Sequence, residues 1–149
     1  MFDTLNLPTL DMGFEWYTNG LYTDGSLLVS LPRDWLDRYD LSPTNDPYAD
    51  PDTDGFSILA EYIADTNPTN GASYFQVSDV DSYPDPVIHF NSSTARLYTL
   101  SVCTDMRVDT WTNVTDAGPR PGAGGPDSFT DTNEPAEGLF YYRLGVELE

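Results

Sequence analysis

Phe140-Tyr141-Tyr142-Arg143-Leu144-Gly145-Val146-Glu147-Leu148 sets Phe140, Tyr142, Leu144, Val146 and Leu148 at every second position, with Tyr141, Arg143, Gly145 and Glu147 between them. Successive side chains of a strand point to opposite faces, so this alternation predicts a half-buried β-strand. The same period recurs upstream. Tyr98, Leu100 and Val102 alternate with Thr99 and Ser101, Ile88 and Phe90 flank His89, and Phe75 and Val77 flank Gln76. Near the start, Leu10, Met12, Phe14 and Trp16 alternate with Asp11, Gly13 and Glu15. The turn dipeptides Asn19-Gly20 and Asp24-Gly25 follow, and then Leu27, Val29 and Leu31.

Short strands at this spacing predict a mainly β chain, an antiparallel β-sandwich of immunoglobulin or fibronectin-III type. The segment 116–127 contains Gly118-Pro119-Arg120-Pro121-Gly122-Ala123-Gly124-Gly125-Pro126. That composition reads as a long connection rather than an element. Between the β segments, residues 32–70 change period. Pro32 suits a first helical turn, and Trp35, Leu36 and Tyr39 share one helical face. Ser42 to Pro47 stops that helix. A second helix from about Ser57 carries Ile58, Leu59, Tyr62 and Ile63 and ends at Asn67-Pro68. The expected organisation is a β segment over 1–31, a helix-loop-helix over 32–71 and a β domain over 72–149.

The composition limits function. Apolar residues form 39% of 149, enough for a core. Acids number 25 against 6 basic residues, all arginine, for a net charge of −19. A field of that sign repels nucleic acid and anionic membrane surfaces. No apolar run is long enough for a transmembrane helix, and no basic n-region with an apolar stretch marks a signal peptide. One cysteine, Cys103, precludes an internal disulfide and any CxxC site.

The acid is concentrated. Asp50-Pro51-Asp52-Thr53-Asp54-Gly55, followed by Glu61, satisfies D-x-D-x-D-G-x5-E. Three aspartates at alternate positions of a tight loop aim oxygens at one centre. Gly55 permits the sharp turn, the Phe56 carbonyl falls at the backbone-ligand position, and Glu61 closes the cage from the next helix. Clustered carboxylates repel unless a cation lies among them. An all-oxygen, flexible donor set favours Ca²⁺ over Mg²⁺ and offers nothing to Zn²⁺. The loop departs from an ordinary EF-hand at its eighth position, Ser57, and at its ninth, Ile58, where an oxygen ligand is usual. Those departures imply a single, weak site, in the ~10⁻⁴–10⁻³ M range of extracellular modules. Asp46, Asp65 and Asn67 are candidates for the missing ligand or a second site.

Leu31-Pro32-Arg33-Asp34-Trp35 through Tyr39, with Asp50 through Asn70, resembles the EF-hand-like calcium module of bacterial thrombospondin type-3-like repeats. The stretch from Tyr74-Phe75-Gln76-Val77, with Ala95 to Leu100, Trp111, Phe129 to Thr132 and Phe140 to Leu144, resembles the C-terminal β domain that follows such modules. The resemblance implies a non-catalytic structural unit of a secreted or cell-surface protein.

Other residues give less. His89 faces away from Ile88 and Phe90 and has no second histidine to work with. Cys103 lacks a cationic neighbour that would activate it, and no pair among the carboxylates is singled out for acid-base chemistry. Trp16, Trp35, Phe75, Phe90, Tyr98, Phe140 and Tyr142 read as core. Tyr17, Tyr22, Tyr48, Tyr74, Tyr83 and Tyr141 read as surface, and would serve the competing reading of a carbohydrate-binding accessory domain of a secreted enzyme. Asn91-Ser92-Ser93 and Asn113-Val114-Thr115 are glycosylation sequons. The N-terminal strand must bury its apolar face in its own subunit or by strand addition to a neighbour, which gives the expectation of a calcium-stabilised subunit that associates with copies of itself.

Overall fold

A computed structural model describes residues 5–82, 84–108, 110–132 and 139–149. Strand makes up 31% of the chain and helix 10%, so it is mainly β. It divides into two compact units, Met1–Tyr62 with Thr66–Tyr74, and Ile63–Asp65 with Phe75–Glu149.

In the first unit, β1 (Glu15–Tyr17) pairs antiparallel with β2 (Leu28–Ser30), Trp16 opposite Val29. The strand expected over Leu10–Trp16 is therefore only its last turn of chain. Met12 and Gly13 have φ of 59° and 72°, and the Phe14 amide donates to the Asp11 carbonyl, so the backbone turns where the alternation continues. A tertiary contact overrides the local pattern. The Tyr62 hydroxyl donates to the Met12 carbonyl at 3.1 Å and lies 2.6 Å from where a Cβ on residue 13 would sit. The positive φ favours glycine there, and a larger residue would also push on the end of the Tyr62 side chain.

Helix α1 (Arg33–Leu36) continues as a 3₁₀ turn over Asp37–Tyr39. It ends earlier than the expected Ser42-Pro43 stop. Asp40 takes the left-handed conformation, φ 56°, and the Leu41 amide returns to the Leu36 carbonyl. Helix α2 (Ile58–Ala64) ends the same way, with Asp65 at φ 58° and the Thr66 amide on the Glu61 carbonyl. Leu31, Trp35, Leu36, Ile58 and Tyr62 are buried, and the Trp35 ring meets Tyr39 and Tyr62 edge-on at 5.0 and 5.3 Å.

The second unit holds β3 (Val77–Asp81), β4 (Val87–Ser92), β5 (Arg96–Cys103), β6 (Thr112–Asn113), β7 (Arg120–Pro121), β8 (Gly125–Thr130) and β9 (Tyr141–Leu148). One antiparallel sheet has the order β3-β4-β8. The other is built on β5, which pairs β9 along its whole length, from Arg96↔Leu148 to Cys103↔Tyr141. Its other edge takes β6 and β7. Ile88, Phe90 and Phe129 of the first sheet and Tyr98 and Leu100 of the second form one buried cluster with Val114 and Ala117. Tyr142, Leu144 and Val146 pack against it while Tyr141, Arg143, Gly145 and Glu147 are exposed, as the alternation in β9 requires. The Phe75–Val77 alternation extends as β3, but β3 is exposed throughout.

Segment 116–127 corrects the sequence reading, because it contains β7 and the start of β8. Its glycines mark close packing. A Cβ on Gly118 would lie 2.3 Å from the Tyr98 carbonyl oxygen, and one on Gly122 would lie 2.4 Å from that of Ser93. Pro121 and Pro126, which have no N–H, pair with Leu97 and Asn91 near strand ends, where the missing donor is tolerated. Arg120 and Asp127 lock the segment through a 2.7 Å ion pair.

Candidate metal centre

Each aspartate of the 50–61 loop first builds the loop. Asp50 accepts the Thr53 amide on Oδ1 at 2.8 Å and the Gly55 amide on Oδ2 at 2.9 Å. Asp52 Oδ1 accepts the Asp54 amide, and Asp54 Oδ1 accepts the Phe56 amide. Such turns are what short acidic side chains favour. They force Thr53 to φ 64° and Gly55 to φ 97°. Nothing lies within 4 Å of a Cβ built on Gly55, so glycine is required there by backbone conformation rather than by space.

The loop closes onto the first turn of α2, whose amides are all accounted for. Ile58 and Leu59 donate to the carbonyls of Ala49 and Pro47, Ala60 donates to Ser57 Oγ, and Glu61 donates to the Ser57 carbonyl. Ser57 thus caps the helix, which explains a hydroxyl at the eighth loop position. Ile58, at the ninth, is core at 1% exposure.

This architecture brings one oxygen each from Asp50, Asp52 and Asp54 within 4.8 Å of one another. Glu61 is 1% exposed. Burial first, and then the charges of Asp52, Asp54 and Asp50, push its carboxyl up to about 7, against the hydrogen bond from Thr66. Asp52 Oδ2, Asp54 Oδ2 and Glu61 Oε2 are buried without a hydrogen-bond partner. Buried carboxylate oxygens without donors are costly, and the three aspartates, though not Glu61, form the group whose oxygens lie close enough to share a cation. The candidate donors are all oxygens, so the residues present fit a hard divalent ion.

Two neighbours were not legible as site residues. Thr66 donates its hydroxyl to Glu61 Oε1 at 3.1 Å. Gly71 brings its backbone beside the loop, a Cβ there lying 3.4 Å from the Asp52 carbonyl oxygen. Phe56 stacks on Tyr74 at 5.9 Å. The three reserve residues make contacts of their own. Asp46 accepts the Tyr48 amide, Asn67 accepts from Thr69, and Asp65 accepts the Ser93 hydroxyl and lies 3.7 Å from Arg96.

Elsewhere, His89 of the central strand β4 places Nε2 2.9 Å from Asp81 of the edge strand β3, and Cys103 is buried at the end of β5. Tyr22 and Tyr48 are exposed, Tyr74 and Tyr141 only marginally, and Tyr83 lies outside the described residues. Asn91 and Asn113, the sequon asparagines, are exposed. Among the described residues no helix is long and apolar enough to cross a membrane. Set against models of protein families, curated proteins and solved structures, the chain shows no match.

Proposed function

We propose that the 50–61 loop holds one Ca²⁺ as a structural ion, with Asp50, Asp52, Asp54, the Phe56 carbonyl and Glu61 as its ligands. The observation that carries this is the set of three orphaned buried oxygens on Asp52, Asp54 and Glu61. The motif chose these residues by spacing, and the absence of hydrogen-bond donors around them is an independent reason for a cation. Ca²⁺ is preferred to Mg²⁺ because the ligands come from a flexible loop without octahedral preorganisation.

The remainder of the reading follows from that ion. A single loop without a ligand at its ninth position binds weakly and stays filled only where calcium is abundant, which supports a secreted or cell-surface protein. The repeat-like calcium module with a following β domain supports a non-catalytic structural role. The shared cluster of Ile88, Phe90, Phe129, Tyr98 and Leu100 supports a sandwich of the two sheets, of immunoglobulin or fibronectin-III type. Strand edges without a partner among the described residues support association with further copies of the chain. Thermal denaturation tests the central point. Added Ca²⁺ raises the melting temperature above that in chelator, and equal temperatures reject the site.

A further inference from the structure

We propose that the edge of β9 opposite β5, which pairs with no other strand among the described residues, is the surface through which two copies of this chain join, β9 lying antiparallel to β9 about a twofold axis at Gly145. The proposal rests on the reading of the protein as self-associating and names the surface.

Among the described strands, the edges differ in how they are protected. β1 and β2 have three residues each, and β6 and β7 have two. β3 carries Asp79 and Asp81, and its register with β4 is interrupted between Val77 and Asp79. β8 contains Pro126, and Arg120 donates to the Ser128 carbonyl beside it at 2.9 Å. Short strands, charges, irregular register, proline and covering groups are the ordinary means of blocking strand addition. β9 has eight residues, no proline and an unbroken register with β5, its one partner among the described residues.

The charges on β9 are self-complementary. In an antiparallel pair centred on Gly145, Arg143 of one copy faces Glu147 of the other, twice. Both side chains are on the exposed face. Arg143 has no carboxylate partner among the described residues, although the chain carries a net charge of −19. Its guanidinium lies over the Trp111 ring, 4.6 Å from the centroid, which holds it on that face but across β5, so it swings back to the outer edge of β9 to meet Glu147 of a second copy. On the other face Leu144 meets Val146, extending the apolar row. Opposite charges facing each other across strands stabilise the pair, and like charges destabilise it. Net repulsion between copies is screened beyond ~8 Å at physiological salt.

Sedimentation equilibrium of the full chain in Ca²⁺ and about 0.15 M salt tests this, using wild type, R143E, E147R, the double swap R143E/E147R, and the neutral R143Q. Each single reversal weakens dimerisation about tenfold or more, because two facing pairs become repulsive. R143Q weakens it less, and the double swap restores it. Melting temperatures confirm that each variant is folded. Wild-type association unaffected by the single reversals, or not restored by the double swap, removes β9 as the surface and leaves self-association standing. A wild type monomeric at every concentration removes both.

Discussion

Thr66 donates its hydroxyl to one oxygen of Glu61, Oε1, at 3.1 Å, and the other oxygen of that carboxylate, Oε2, is buried with no donor. Thr66, just past the end of α2, therefore holds one oxygen of the carboxylate and leaves Oε2 unpartnered, as Asp52 Oδ2 and Asp54 Oδ2 are.

On the proposed calcium site, removing a loop carboxylate removes the ion. Ligand that binds only the folded state adds RT ln(1 + [L]/Kd), about 1.4 to 2.7 kcal/mol at 10 to 100 times Kd. Asp54→Ala loses that increment in millimolar Ca²⁺, a drop of several degrees in melting temperature. Asp24→Ala, in an exposed turn where Asp24 accepts the Ser26 amide, does not change the calcium-dependent shift. Melts of both variants in Ca²⁺ and in chelator check this.

Glu61 makes the proposed calcium site pH-dependent. Its folded, metal-free pKa of about 7 is above an unfolded value near ~4.3. A raised acid pKa contributes stability present below the unfolded value and lost as pH rises through the folded one. The chelated protein therefore loses stability between pH ~4.3 and about 7, and calcium affinity increases over the same range because the ion displaces a proton. Melts in chelator from pH 4 to 8, with calcium titrations in two buffers of different ionisation enthalpy, measure both effects.

Asp127 behaves oppositely. Burial raises its pKa, but Arg120, the Ser92 hydroxyl and the amides of Ser128 and Ala123 outweigh burial and lower it to about 2. Against an unfolded value near ~3.9 this is about 2 kcal/mol of stability, complete above pH ~4 and lost as pH falls towards 2. Asp127→Asn flattens that acid limb, measured by denaturant unfolding between pH 2 and 5.

A methyl group on Gly118 or Gly122 meets the backbone of β5 or its approach. Gly122→Ala forces the β7 turn away from Ser93 and destabilises the β domain by about 1 to 3 kcal/mol, as overpacking does. Gly55→Ala meets open space and suffers only the left-handed backbone penalty, about 1 kcal/mol. Denaturation midpoints distinguish the two.

How much was legible depended on whether the deciding contact was local. β9 was readable because its period-two pattern meets one continuous partner, β5. The acidic loop was readable because its carboxylates are contiguous and its turns are made by its own side chains. The Leu10–Trp16 stretch was misread because Tyr62, fifty residues away, bonds the Met12 carbonyl and bends the chain. β7 and β8 were hidden because residues that usually signal freedom are used here for close approach, Gly118 to the backbone of β5 and Gly122 to that of Ser93. Thr66 and Gly71 are adjacent to the loop only after the chain folds back on itself.

Calorimetric titration of calcium into the chelator-stripped full chain at pH 8 addresses the ion directly. The account predicts one site per chain, abolished by Glu61→Gln, which leaves the hydrogen bond from Thr66 intact and removes the charge. Absence of binding heat at millimolar calcium, or equal binding by Glu61→Gln, contradicts it.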